Sequence, residues 1–384
     1  MNAALWMGLV PVHLALSESS EGLNLMTTFC SEAIVKADNL ATILPALLEH
    51  MKEHATVNYT ANGATIVSPF GSVEIIRHLE ELLLEVRSFT PEVLSLVKMF
   101  IAEHVFEFAG DTASIVWSDE AELEQAPDHF QELIVTDVFA ITPLMRRVTF
   151  SCERISAFLG EAGYHVRLLL APSDTNPVWP TQTADGRLKW PSGENTLISR
   201  VYTISNVDVL NSRVAIDFVL HTHAGPASLW ASQACKGKKV GILGPSGGKP
   251  GITDSYFIFG DETAIPAISR LLSELPADAR GMVCIEVQNA EEVQQISHPA
   301  RIEVRWLFRE TAAAGTTTLL QDAVMALPKP ALNEACYVWV SCELSSCRVI
   351  RAHLRDNWKA HKSEYLVTTY WRRGKAGIEV RDEH

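Results

Sequence analysis

Positive charge is scarce in this chain of 384 residues, in which 32 Lys and Arg residues face 46 Asp and Glu residues and the formal net charge is −14. A general nucleic-acid binder is excluded as a class, because contacts to phosphates need clustered positive charge. The shortage is not uniform, since residues 348–384 hold nine Lys or Arg against five Asp or Glu. This C-terminal segment would attract an anionic ligand, and a solvated final helix would explain it equally well.

Long apolar runs are missing as well. The run over residues 1–16 is too short to span a membrane, and it is not preceded by the Lys or Arg that a signal peptide requires. We expect a disordered extension over residues 1–25, with Met26 as an alternative start, and no membrane span elsewhere. These features predict a cytoplasmic protein. The sequence leaves its oligomeric state open, a monomer included.

The seven cysteines include no Cys-x-x-Cys pair. An odd number of cysteines without that spacing indicates buried thiols in a reducing compartment, and argues against a disulfide framework and against a zinc or iron–sulfur site. His221 and His223 form a close pair for which a structural role is favoured, because no further metal ligand is nearby. His50, His54 and His104 have no acidic or nucleophilic partner at short range. We therefore expect core or surface histidines and no metal site.

Length and composition indicate several folded domains. The chain is longer than a domain with a single hydrophobic core usually is. Its 47% hydrophobic and 20% charged residues are typical of a well-packed protein. The sequence predicts a small α+β domain over residues 26–119, an acidic linker over 120–129, an antiparallel β-barrel over 130–250 and a doubly wound α/β domain over 251–384.

The first domain mixes strand and helix patterns. Apolar residues recur at helical spacing from Leu40 to His54, and Asn62-Gly63 is typical of a tight hairpin turn. Thr90 followed by Pro91 predicts the start of a second helix, with Thr90 as its cap. We find no catalytic constellation in this domain.

The middle of the chain is rich in short strand-like runs. Six of them occur at the spacing of a closed barrel, and turn-rich segments separate them. They cover Glu132–Ala140, Met145–Ser151, His165–Leu170, Ser199–Ser205, Val214–His221 and Lys239–Leu243. A short helix over Gly225–Ala234 is predicted between the last two.

From residue 255 onward strands alternate with helices, which predicts a parallel sheet with its ligand at the carboxyl ends of the strands. One helix is expected after the strand Met282–Val287. Another begins within Asp261–Pro266, with Thr263 as its cap and Pro266 in its first turn. A nucleotide phosphate commonly meets a helix at a turn such as Gly260–Thr263, although this turn lacks the G-x-G-x-x-G pattern and a helix that binds nothing would look the same.

Arg200, Tyr202 and Thr203 form an Arg-x-Tyr-Thr run inside a strand-like segment. Alternate residues of a strand share a face, so Arg200 and Tyr202 project together and Thr203 points the other way. A cation beside an aromatic ring suits a flat anionic cofactor, because the ring can stack and the guanidinium can bind phosphate. An edge strand with an exposed Arg would give the same pattern. Downstream, Gly225-Pro-Ala-Ser228 predicts a helix start whose N–H groups suit a phosphate.

Taken together, these motifs resemble the siderophore-interacting proteins, or ferric-siderophore reductases, of the ferredoxin–NADP reductase superfamily. The resemblance covers about residues 130–376, and the N-terminal region is more loosely similar to a small domain of unknown function. The matching segments are Arg200–Thr203, Asp217–His221, Gly225–Ala231, Gly244-Pro245, Gly260–Ala267, Val304–Leu307, Val338–Glu343 and Tyr370–Gly374.

The resemblance implies FAD on the barrel, with NADH or NADPH as electron donor. Arg200 would hold the FAD pyrophosphate and Tyr202 would stack on the flavin. Thr203 would hydrogen-bond the nitrogen that accepts the hydride, so that Tyr202 and Thr203 carry the catalytic role. The other residues implied to contact FAD are Asp217, Val219, Leu220, His221, Gly225, Ala227, Ser228 and Trp230, and those implied to contact NAD(P)H are Gly260, Asp261, Glu262, Thr263, Ala264 and Pro266.

The substrate side departs from the family pattern. A second Arg often follows two places after the run, and here that position is Ser205. A replacement basin for an anionic substrate is expected at Trp371, Arg372, Arg373 and Lys375, for which a solvated C-terminus is the alternative. Gln288–Glu291 offers no Arg or Lys for a 2′-phosphate, which favours NADH, whereas Arg309 after the third strand would favour NADPH.

The implied function is an FAD-dependent NAD(P)H:ferric-siderophore reductase that passes electrons to Fe(III) and releases Fe(II). Two alternatives stay open. One is a flavoprotein reductase whose acceptor is free flavin, ferredoxin or another one-electron carrier. The other is a siderophore-binding protein with little turnover, in which the α+β domain binds the siderophore.

Overall fold

The computed structural model describes most of the chain. The expectations for residues 1–25 and Met26, for residues 120–124 of the linker and for His223 concern positions outside the described residues. Those residues are 28–52, 54–110, 112–119, 125–159, 163–172, 176–221, 225–247, 253–328 and 335–375.

The N-terminal domain packs two helices against an antiparallel sheet, as the sequence predicts for an α+β unit. Its elements are β1 (Phe29–Lys36), α1 (Leu40–Met51), β2 (Thr56–Thr60), β3 (Gly63–Ser68), β4 (Gly71–His78), β5 (Glu81–Ser88), α2 (Pro91–Ala109) and β6 (Ser114–Trp117). The strand order is β2-β3-β4-β5-β1-β6. The Thr90 hydroxyl accepts a hydrogen bond of 3.2 Å from the Val93 N–H, which confirms the predicted cap of α2.

Six strands close the predicted barrel, in the order β12-β13-β8-β7-β14-β9. The elements of this region are β7 (Phe130–Thr142), β8 (Met145–Ser151), β9 (His165–Leu170), β10 (Thr181–Gln182), β11 (Leu188–Lys189), β12 (Ile198–Asp208), β13 (Arg213–Val219), α3 (Pro226–Ser232) and β14 (Lys239–Ser246). The short pair β10–β11 leaves the barrel and contacts the N-terminal domain. There the Trp117 indole N–H donates to the Asp185 carbonyl at 3.0 Å, and the Arg187 guanidinium lies 3.6 Å from the Phe106 ring centroid.

The C-terminal domain is a five-stranded parallel sheet with the order β17-β16-β15-β18-β19. Its elements are β15 (Ser255–Asp261), α4 (Ile265–Glu274), β16 (Arg280–Val287), β17 (Arg301–Phe308), α5 (Leu319–Met325), β18 (Cys336–Glu343), α6 (Leu344–His353) and β19 (Tyr365–Trp371). The strand order reverses between β15 and β18, which is where a doubly wound sheet opens a crevice for its ligand. The predicted fold class is therefore confirmed. Among the described residues, no helix combines the length and the apolar character needed to cross a bilayer.

Two details of the predicted α/β domain are wrong. After β16 the chain forms only a 3-10 turn, Ala290–Glu292, in place of a helix. The Glu292 carboxylate accepts hydrogen bonds from the Thr142 hydroxyl (2.5 Å) and the Leu144 N–H (3.1 Å), so this segment is tied to the β7–β8 turn of the barrel. The cap of α4 is also different, because Ala264 stands at the N-cap and Thr263 donates its hydroxyl back to Asp261.

A buried ion pair joins neighbouring barrel strands. Asp217 on β13 lies opposite Arg147 on β8, and its two carboxylate oxygens accept from Nε (2.6 Å) and Nη2 (2.7 Å) of that guanidinium. The Asp217 side chain is only 2% exposed, whereas that of Arg147 is 30% exposed. Removal of one partner would leave the other charge poorly solvated.

We predict that Asp217→Asn lowers the free energy of unfolding by about 2–3 kcal/mol, because two charge-assisted hydrogen bonds are weakened. Urea unfolding of the flavin-free protein measures the loss. Glu303→Gln breaks an exposed pair with Arg305 and is the control, which should leave the unfolding midpoint unchanged. A variant with normal stability but reduced FAD affinity would instead assign Asp217 to the cofactor.

Candidate functional site

The candidate site lies where the last strand of the parallel sheet reaches the barrel. His165 begins β9 and pairs in register with Thr203 on β12. The Tyr370 hydroxyl on β19 lies 2.7 Å from His165 Nε2. Burial lowers the pKa of His165 to about 4 and raises the pKa of Tyr370, so the contact joins a neutral imidazole to a neutral phenol. The predicted Thr203 is therefore held at the domain junction, with 5% of its surface exposed.

Arg200 and Tyr202 lie two residues apart on β12, as the sequence predicts. Arg200 is half-buried, and its Nη1 donates to the Ser199 carbonyl at 2.5 Å. The ring centroids of Tyr202 and Phe218 are 4.6 Å apart, and those of Phe218 and Trp230, on α3, are 5.7 Å apart. Burial raises the pKa of Tyr202, so its phenol stays neutral. A cation thus stands beside a short row of aromatic rings.

Hydrogen bonds fix the segment that follows β13. The His221 N–H donates to the Ser228 hydroxyl oxygen on α3 at 3.3 Å. The Leu220 N–H donates to the Leu144 carbonyl, in the β7–β8 turn, at 2.8 Å. A Cβ placed on Gly225 would meet nothing within 4 Å, so the approach to the first turn of α3 is open. Of the other predicted residues here, Val219 is half-buried, Ala227 is buried and Trp230 is half-buried.

The turn after β15 is closely packed. A Cβ on Gly260 would lie 2.5 Å from the Ala264 Cβ, so only glycine lets α4 approach the strand this closely. The Asp261 carboxylate accepts from the Thr263 N–H (3.0 Å) and from the Trp371 indole N–H (2.7 Å). Burial, with the neighbouring Glu262 adding to it, raises the pKa of Asp261 to about 7. Pro266 lies in the first turn of α4, as predicted.

Glu262 forms the second buried ion pair of the structure described here. Its carboxylate oxygens accept from Nη1 (2.8 Å) and Nη2 (2.5 Å) of Arg309, which follows β17. The pair faces His221 of the barrel, whose pKa is lowered by burial against the opposing effect of Glu262. The Arg309 guanidinium is therefore already paired with an internal carboxylate, and its side chain is only 4% exposed.

The residues predicted for the substrate fall into two groups. Trp371 is half-buried, and its indole N–H joins the end of β19 to Asp261. Arg372, Arg373 and Lys375 are exposed immediately after β19. The Arg373 N–H donates to the Glu343 carboxylate at 3.1 Å, so the backbone holds the start of this basic segment at the carboxyl end of β18.

Two features of the structure were missed in the sequence. The contact of His165 with Tyr370 joins residues 205 positions apart, and no local pattern indicates it. The structure also gathers His50, His54 and His104 into one cluster. The spacing of four between His50 and His54 is a signal that could have found it, since such residues share one helix face.

Comparison with known families matches all three domains. Residues 253–374 match the family described as Siderophore-interacting protein, and residues 134–249 match the Siderophore-interacting FAD-binding domain. Residues 32–118 match a family described as Uncharacterized protein conserved in bacteria (DUF2218).

Individual relatives agree with the family matches. The chain is 31% identical over 233 residues to the ferric vibriobactin reductase ViuB of Vibrio cholerae. The aligned region spans 60% of this chain and 84% of that protein. A siderophore utilization protein from T. fusca has 31% identity and a TM-score of 0.55, covering 65% of this chain and 95% of its own. The siderophore-interacting protein SipS from Aeromonas hydrophila has 29% identity and a TM-score of 0.55, covering 64% and 93%. The chain therefore belongs to the siderophore-interacting protein family, with an N-terminal DUF2218 domain.

Proposed function

We propose that this protein is an FAD-dependent NAD(P)H:ferric-siderophore reductase that acts in the cytoplasm. The observation that carries the proposal is the position of Arg200 and Tyr202 on a barrel strand that is joined to the parallel sheet, since the next residue, Thr203, pairs with His165, which contacts Tyr370. One matched relative is named a ferric vibriobactin reductase, and another, from Acinetobacter baumannii, a ferric acinetobactin reductase at 27% identity.

The donor set of the barrel fits FAD. Arg200 would bind the pyrophosphate, because its guanidinium is half-buried and its one hydrogen bond among the described residues goes to the neighbouring carbonyl of Ser199. Tyr202 offers a ring for stacking, already backed by Phe218. The open approach at Gly225 would admit a phosphate to the first turn of α3 at Ala227 and Ser228. Thr203 would orient the flavin ring through its hydroxyl.

The nicotinamide nucleotide would enter over Gly260–Pro266. FAD would supply the redox chemistry that links a two-electron nicotinamide donor to the one-electron reduction of Fe(III). The chain's own residues would bind and orient the two partners and exclude water from the junction that His165 and Tyr370 close. Because Fe(II) suits the hard oxygen ligands of siderophores less well, reduction would release the metal.

We further propose that NADH is preferred over NADPH. A 2′-phosphate needs a cation after the second or third strand of such a sheet. Arg309 occupies the required position but forms a bidentate pair with Glu262 inside the protein. Glu291, after β16, is exposed and would repel a 2′-phosphate.

Ser205 favours a second candidate function. Its hydroxyl donates to the Ala215 carbonyl at the irregular register between β12 and β13, so it places no cation beside the flavin. A flavoprotein reductase with ferredoxin or free flavin as acceptor is consistent with this. Turnover with a ferric catecholate, a ferric hydroxamate, ferredoxin and free flavin, compared at equal protein concentration, discriminates between the two functions.

The purified protein should be yellow and should lose its visible absorbance when NADH is added without oxygen. NADPH should bleach it more slowly at equal concentration, because Arg309 is held by Glu262. Anaerobic absorbance spectroscopy measures both rates. Failure to take up FAD would contradict the proposal, and faster bleaching by NADPH would contradict the preference alone.

Arg200→Ala should weaken FAD binding roughly 10- to 100-fold, because a charged hydrogen bond to phosphate is lost. Flavin content after gel filtration and titration of the flavin-free protein measure the change. Arg213→Ala, which removes an exposed cation from the start of β13, is the matched control. Equal flavin retention in the two variants would count against the phosphate role.

Replacing both Arg372 and Arg373 by Ala should raise KM for an anionic ferric chelate roughly 2- to 10-fold, because each exposed cation contributes modestly to attraction. The KM for NADH should stay the same. Steady-state kinetics with Lys362→Ala as the exposed control checks this. An equal rise in both KM values would remove the case for a substrate basin.

A further inference from the structure

Three histidines of the N-terminal domain meet between its two helices. His50 lies in the last turn of α1, His54 follows that helix, and His104 lies on α2. Their ring centroids are 4.8 Å (His50–His54), 5.2 Å (His50–His104) and 5.4 Å (His54–His104) apart. One ring nitrogen from each lies within 4.8 Å of the others. The reductase mechanism uses none of these residues.

The hydrogen bonding of His104 fixes which nitrogen faces the cluster. His104 Nδ1 lies 2.8 Å from the Phe100 carbonyl oxygen. A carbonyl can only accept, so Nδ1 carries the proton and Nε2 carries a lone pair. His104 is fully buried, and its Nε2 has no hydrogen-bond partner among the described residues. A buried acceptor left unsatisfied is destabilising, and a bound cation would offset that cost.

His104 makes the hydrogen bond that a metal-binding histidine usually makes through its other ring nitrogen. Histidine ligands commonly donate their other ring N–H to a carbonyl or carboxylate, which fixes the ring orientation. The Phe100 carbonyl provides this contact for His104. The cluster is thus oriented by the backbone of a 19-residue helix before any ligand arrives.

The spacing of the other two nitrogens suits a small metal ion. His50 Nε2 and His54 Nε2 are 3.2 Å apart. Two ligands of a tetrahedral zinc ion, each at about 2.0–2.1 Å, stand roughly 3.3 Å apart. The backbone N–H of His54 bonds to the Met51 carbonyl at 3.0 Å, which holds His54 close to the end of α1. The three ring nitrogens lie within 4.8 Å of one another, so binding to one ion would require the more distant of them to move closer.

Aromatic rings lie beside the three histidines, and one of the three side chains is partly exposed to solvent. The centroid of the Phe100 ring lies 4.1 Å from that of His104 and 5.6 Å from that of His54. The ring centroids of Phe108 and His50 are 5.5 Å apart. His54 is 7% exposed and His104 is not exposed, whereas His50 is half-exposed. An ion would therefore reach the cluster past His50, the most exposed of the three side chains.

We propose that His50, His54 and His104 form a binding site for a divalent first-row transition-metal cation. Three neutral imidazoles suit zinc, iron(II), cobalt(II), nickel and copper, and they disfavour magnesium and calcium, which take oxygen ligands. Three protein ligands leave a coordination position for water or another small ligand. The site is independent of the reductase activity proposed above.

The test uses the full, untagged chain after dialysis against a chelator. Addition of Co²⁺ should produce visible d–d bands at wavelengths longer than those at which oxidised flavin absorbs, with saturation at a single ion per chain. Zn²⁺, and Fe²⁺ without oxygen, are then tested as competitors, with Mg²⁺ as the hard cation that should not compete. The stronger competitor identifies the cation that the site prefers.

Three variants decide whether the cluster is the site. His104→Ala should weaken Co²⁺ binding about 100-fold or more, since loss of a ligand exceeds the roughly 10- to 100-fold cost of losing a residue that only hydrogen-bonds a ligand. His50→Ala should do the same, and because His50 is half-exposed the fold should survive, as circular dichroism can verify. His78→Ala, on the exposed end of β4, should bind as the unaltered protein does. Absence of d–d bands, competition by Mg²⁺, or undiminished affinity in His50→Ala overturns the proposal.

Discussion

The hydrogen bond between His165 and Tyr370 is the contact on which the candidate site depends, because it joins the barrel to the last strand of the parallel sheet. Both groups are neutral, since burial lowers the pKa of the imidazole and raises that of the phenol. A neutral pair can be buried at a smaller desolvation cost than an ion pair. Thr203 pairs in register with His165, so the same contact places the Arg200–Thr203 strand against the switch point of the sheet.

Several carboxyl groups lie near that switch point. Their partners inside the protein reduce the repulsion that an anionic dinucleotide would meet there. Glu262 is neutralised by Arg309, and Glu343 accepts hydrogen bonds from the Ser345 and Arg373 N–H groups. Burial, with Glu262 adding to it, raises the pKa of Asp261 and so disfavours a negative charge on this carboxyl. The charges that a nicotinamide nucleotide would meet are therefore fewer than the sequence suggests. Exposed cations follow directly at Arg372.

The elements of the fold could be predicted because they follow from local periodicity, whereas side-chain partners could not. Six strand-like runs gave the closed barrel, and Thr90 marked the start of α2. The prediction of a helix after β16 was wrong because Glu292 hydrogen-bonds Thr142 of the barrel, which lies 150 residues earlier in the chain. The ion pair of Asp217 with Arg147, 70 residues earlier, is another side-chain contact that no local pattern indicates, and the expected contact of Asp217 with FAD stays a prediction.

The N-terminal domain shares its core with the barrel. Residues of α2, among them Leu96 and Phe100, belong to the same buried apolar cluster as Leu169 and Leu243 of the barrel. An excised α+β domain would expose part of this apolar surface to water, at a cost of roughly 25 cal/mol per Å². Phe100 also flanks the three histidines and supplies the carbonyl that orients His104. Barrel packing and the geometry of the proposed metal site therefore act on the same turn of α2, and binding measured on the excised domain would underestimate the affinity of the full chain.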